Sequence, residues 1–215
     1  PRNSIFEMSS FGKNSMQMKF LVFGFPLLFL IVFSTGCASR YHLIEPLSVD
    51  FDHRVDTIPG TSFAVSWRYD VLKEAGNRAY PRIEKQQGVS LLAVRLENFG
   101  EDTLLFPEDL LIIAGEDTLP PFYVEETIAM FERRNKNDGL ITVTSFYDLF
   151  VALFIMIPYA VNEGIKRNAN NDMAAELEDY YLIYSTVLPG KKVAGLLALP
   201  VVRPGTPLKF FYRKR

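Results

Sequence analysis

Asp50, Asp52, His53 and Asp56 place three carboxylates and an imidazole within seven positions, a donor set of the kind that divalent cations take. The run lacks the glycine and closing Glu of a calcium-binding loop between helices, so a solvated strand edge or linker is the expectation. Hydrolytic chemistry is poorly supplied. A nucleophile needs a base, His is the commonest one near neutral pH, and the chain has only His42 and His53. Gly-x-Ser-x-Gly, His-Glu-x-x-His and a phosphate-cradling glycine loop are missing. Glu97, Glu101 and Asp102 surround a turn and read as surface charge. Trp67 with Tyr69, or Tyr180, Tyr181 and Tyr184, would suit sugar stacking, but aromatics at strand or helix spacing are more often core. The expectation is a protein that is not an enzyme, with no catalytic residue, no metal ligand and no cofactor.

Cys37 is the remaining reactive side chain, and it is the only cysteine. Before it stand Lys19, the fourteen uncharged residues from Phe20 to Phe33, and the small residues Ser34, Thr35 and Gly36. That succession of charged, apolar and small residues is the pattern of a secretory signal. The apolar core is short of the roughly 20 residues that a membrane span needs. Thr35-Gly36-Cys37 resembles the lipobox of bacterial lipoproteins, although Ser34 stands where an aliphatic residue is usual. The resemblance implies that Thr35 and Gly36 are read by the signal peptidase and that Cys37 receives the lipid. It also implies a chain anchored in the cell envelope, facing the periplasm.

Residues 1–17 are read as upstream of the true start and 18–36 as the signal peptide. Cutting before Cys37 removes Arg2, Lys13, Lys19 and Glu7 from 23 basic and 25 acidic side chains, leaving 20 and 24, a net charge of −4. Nucleic acid and polybasic docking on anionic lipid are therefore not expected. With Cys37 acylated, no thiol remains for a disulfide or a metal.

Residues 37–60 are polar and broken by Pro46, Pro59 and Gly60, and read as a lipidated tether. From residue 61 to 215 the pattern predicts one mainly β domain. Phe63, Val65 and Trp67 alternate with Ala64, Ser66 and Arg68. Val89 to Glu97 is the strongest strand, with Leu92, Val94 and Leu96 on one face. Leu104 to Phe106, Leu110 to Ile113, a hairpin at Gly115-Glu116-Asp117, Leu182 to Val187, Val193 to Leu199 and Leu208 to Tyr212 complete the set. A helical insertion at about 121–181 is expected, with one helix over Phe122 to Arg134 and another capped by Asn171 or Asp172. Within it Leu140 to Val161 carries one charge, Asp148. A spanning helix there would separate the flanking strands, so this segment is expected against the domain or at a membrane surface.

Asn77 to Tyr80 together with Gly88 to Asn98 resembles the strand-and-Asn-turn of telokin-like, immunoglobulin-type modules found in bacterial envelope lipoproteins. Leu188-Pro189-Gly190-Lys191-Lys192 followed by Val193 to Leu197 is similar to their later Pro-Gly strand. The resemblance implies an immunoglobulin-like antiparallel β-sandwich carrying the helical insertion. The function expected is a membrane-anchored, non-catalytic binding or scaffolding module whose partners are the membrane and other envelope proteins. An apolar insertion that acts on membranes and an enzyme of unrecognised type remain the alternatives.

Overall fold

The computed structural model describes residues 39–55, 57–133, 146–203 and 206–213, with residues 146–159 described by backbone alone. Two compact units divide the chain. One takes residues 1–38 and 139–164, and its described part is helical. The other takes residues 39–138 and 165–215 and holds all the described strands.

This second unit is mainly β, built of antiparallel sheets with a few helices. Its centre is β3 (Val89–Asn98), where β1 (His53–Val55), β2 (Phe63–Arg68) and β8 (Lys192–Pro200) complete the four-stranded order β1-β2-β3-β8. Trp67 stands opposite Val94, and Leu92 opposite Leu197. A two-stranded sheet pairs β4 (Leu104–Leu105) with β7 (Thr186–Val187). A third sheet has the order β6-β5-β9, from β6 (Asp117–Thr118), β5 (Leu110–Ala114) and β9 (Leu208–Tyr212).

The four-stranded sheet is apolar on both faces because both are covered. Phe63, Val65, Trp67, Leu92, Val94 and Leu96 share a core with Leu110, Ile112, Leu208 and Phe210 of the third sheet. On the other face Leu91, Ala93, Leu196 and Ala198 join Leu72, Tyr80, Phe131, Met173 and Leu177. Full burial of each large aliphatic side chain contributes about 1.5–3 kcal/mol, so neither layer is dispensable. The alternation expected in β2 puts Phe63, Val65 and Trp67 in one core, as found, but its other face is not left open. Ala64 and Ser66 are as buried as their neighbours.

Helices supply that second layer: α1 (Val71–Glu74), α2 (Tyr80–Gln87), α3 (Val124–Phe131) and, of α4 (Phe146–Tyr180), the part that carries Ala169, Met173 and Leu177. The first two were not expected from sequence. Pro81 opens α2 and Gly88 closes it at φ 67°, a left-handed conformation that costs glycine little. The helix expected over Phe122 to Arg134 is shorter, α3. Its extended Tyr123 donates its backbone N–H to Glu126 at 3.2 Å.

A second helix starting at Asn171 or Asp172 is also corrected, since α4 runs through both. Both side chains are exposed, and the buried stripe Ala169, Met173, Leu177 continues past them. Packing on that stripe overrides the capping preference of Asn and Asp. Leu182 to Ile183 are buried but unpaired as strand, and only Thr186–Val187 forms β7. Residues 140–145 of the apolar segment lie outside the described residues. Among the described residues no helix is long and apolar enough to cross a membrane.

Candidate functional site

The stretch read as a tether is not one over residues 39–55. It belongs to the same compact unit as the sheets, supplies β1, and buries Tyr41 and Ile44. Residues distant in sequence hold it. Arg133 reaches back from the end of α3, its Nη1 donating to the Ser39 carbonyl at 2.8 Å. The Asn77 side-chain amide clasps the backbone of His42, accepting its N–H at 2.9 Å and donating to its carbonyl at 2.7 Å.

Glu176, buried on α4, makes the strongest hold. One carboxylate oxygen accepts the backbone N–H of Ile44 at 2.8 Å and of Glu45 at 2.9 Å. The other accepts the Tyr41 hydroxyl at 2.5 Å. Charge-assisted bonds of this kind are about twice as strong as neutral ones. Burial first, and the neighbouring Glu176 second, push the Tyr41 phenol well above its ordinary value. Its ring meets Tyr80 edge-on at 5.1 Å. Tyr80 in turn donates to the Asn170 side-chain carbonyl at 3.2 Å, and burial pushes its hydroxyl up to about 12.

The backbone then turns sharply. Glu45 has φ 51°, an uncommon conformation for a residue other than glycine, and its carbonyl accepts both the N–H and the hydroxyl of Ser48. Such a conformation persists only where its surroundings fix it, and here Glu176 does so. The result is that buried Pro46 points in while Leu47 stands out, 73% exposed, with Leu43 at 56%. Beside them runs a groove of about 700 Å³, lined by Tyr41, Leu43, Leu47 and Glu45 on one side and by Asp172, Ala175, Asp179 and Tyr180 of α4 on the other.

The residues singled out by chemistry take other roles. His53 lies in β1, its ring stacked on Trp67 at 5.4 Å and edge-on to Tyr69 at the same separation. Asp52 sits 3.6 Å from His53 and 3.7 Å from Arg68, while the Asp50 backbone carbonyl accepts from Arg68 at 3.0 Å. Asp56 lies outside the described residues, and among those described no three His, Cys, Asp or Glu residues converge to hold a metal. Glu97 pairs with Arg95 at 2.9 Å, and Asp102 accepts an Asn98 bond through its carbonyl. Thr35, Gly36 and Cys37 lie outside the described residues.

Trp67 and Tyr69 are core. Tyr181 is partly buried, its hydroxyl donating to the Phe122 carbonyl at 2.6 Å. Tyr184 departs from the helical face expected for it. It lies beyond α4 at φ 67°, 72% exposed, and stacks on Tyr123 with 6.0 Å between ring centroids.

The class that fold and site define is therefore a mainly antiparallel β domain with a helical cover and a firmly docked segment, residues 39–55, leading into its second strand. No protein-family model, no curated protein and no solved structure matches the chain.

Proposed function

We propose that this protein is a lipid-anchored lipoprotein of the bacterial cell envelope, facing the periplasm. Its domain, an immunoglobulin-like sandwich in this reading, acts as a non-catalytic binding or scaffolding module. The single observation that supports it most is the juxtaposition of a lipobox-like Thr35-Gly36-Cys37 with a docked segment that begins two residues later. Two residues reach at most about 7 Å, so an acyl chain on Cys37 would hold the domain directly against its membrane. That suits a module whose work depends on staying at a surface. The two cores, one shared by the two larger sheets, support the sandwich part of the reading.

The test is metabolic labelling with palmitate of the full chain and of Cys37→Ala. The wild type is expected to incorporate label and to lose its leader. Cys37→Ala is expected to carry no label and to keep the precursor length. Label that persists in Cys37→Ala overturns the reading.

A further inference from the structure

We infer that the Leu43–Leu47 turn, with the groove beside it, is a membrane-seating surface fitted to a bilayer whose headgroups carry ammonium groups. This inference rests on the lipoprotein reading and adds to it which face of the domain meets the lipid. Leu43 and Leu47 lie six and ten residues after Cys37, on a segment that is fixed from Ser39 onward by Arg133, Asn77 and Glu176. An acyl chain at residue 37 therefore keeps this turn close to the interface.

The two leucines are side chains that gain from entering it. Each is largely exposed although the same segment buries Tyr41, Ile44 and Pro46, so their outward direction is built into the turn and not left over from poor packing. The conformation of Glu45, held by Glu176, is what projects Leu47. Apolar groups on the water side of an anchored domain gain free energy by sinking into the headgroup and acyl boundary.

Charge complementarity selects the lipid. Glu45, Asp172 and Asp179 line the groove around those leucines, and among the described residues no Lys or Arg lines it. Carboxylates at an anionic surface would be repelled, whereas ammonium headgroups such as that of phosphatidylethanolamine offer each of them a donor and a positive charge.

The experiment uses the full-length, lipidated protein in vesicles. With Cys37 acylated, Leu47→Cys provides the only thiol, and it is labelled with an environment-sensitive fluorophore. Mass spectrometry of the N-terminal peptide first confirms the diacylglycerol on Cys37, and its absence overturns the lipoprotein reading together with this inference. With the lipid confirmed, emission is expected to shift to the blue and to be quenched by nitroxide-bearing lipid. Quenching is expected to be stronger in phosphatidylcholine vesicles containing phosphatidylethanolamine than in those containing phosphatidylglycerol. Asp172→Asn with Asp179→Asn should erase that preference while circular dichroism stays unchanged. Water-like emission overturns the seating surface and leaves the lipoprotein reading standing. Equal quenching in both vesicles, or a preference unaffected by the Asn pair, overturns the headgroup assignment.

Discussion

Glu84 illustrates how one carboxyl couples the helical cover to pH. It stands on α2, where it accepts the Leu91 N–H of β3 at 2.7 Å. Burial pushes its carboxyl from the ordinary 4.5 up to about 7; the Leu91 bond opposes this and Asp70 adds to it. Between those two values the folded chain holds a proton that the unfolded chain has released. The stability contributed by that proton is complete below about 4.5 and is lost as pH rises through about 7. Thermal melts from pH 5 to pH 8 should show a decline of at most about 3 kcal/mol from this group, trimmed by its partial exposure to water. Glu84→Gln keeps an acceptor for Leu91 and should flatten the profile, and an unchanged slope would refute the assignment. At the same scale, Glu176→Ala removes the acceptor for Tyr41, Ile44 and Glu45. The expected cost is about 2–4 kcal/mol, because buried donors are left without partners. Amide exchange at Ile44 and Glu45 should accelerate far more than at Leu92, and uniform acceleration would show that Glu176 holds the whole fold and not the segment.

At the scale of elements, the packing between the end of α4 and β8 turns on Gly195. A Cβ there would collide with the Tyr180 carbonyl and lie 2.9 Å from the Leu182 side chain. That close approach is what lets Leu182 donate to the Leu196 carbonyl at 3.0 Å. Gly195→Ala should therefore destabilise by about 1–3 kcal/mol in a urea melt. Val94→Ala, in the core between the two larger sheets, should cost about 1–3 kcal/mol through lost burial and a residual cavity. An unchanged midpoint for either variant would refute its packing. β3, β5, β8 and β9 were legible in sequence because their apolar runs are bounded by turns such as Asn98 to Asp102 and Leu188 to Lys191. α1 and α2 were not. Over Val71 to Gln87 the apolar residues are few and Gly76 interrupts them, so the spacing of Leu72, Ala75, Ala79 and Ile83 is too short and broken to mark out two helices. The docked segment was hidden for a related reason. Its polar, proline-broken composition is that of a linker, and it is fixed by Asn77, Arg133 and Glu176, all distant in sequence. Tyr41 and Ile44, apolar residues three apart, were the one local trace of it.

At the scale of the whole molecule, the four-stranded sheet joins distant parts of the chain: Val89 pairs with Pro200, and Glu97 with Lys192. β2 and β3 are close in sequence and can meet early, but the other edge of β3 stays open until β8 exists. A chain cut after Lys191 should accordingly leave the β3 amides unprotected against hydrogen exchange, and protection there would show that β1 to β3 stand alone. Pairing across such a separation must first meet a large loop-closure entropy, so the sheet closes late and slowly. For a polypeptide that is threaded through a narrow translocation channel before it folds, that delay is useful. Because β8 follows β3 by almost half the chain, the sheet cannot close while β8 is still being made. On the lipoprotein reading proposed above, the segment around Cys37 would then be passed across, and lipidated, ahead of the strand that completes the fold.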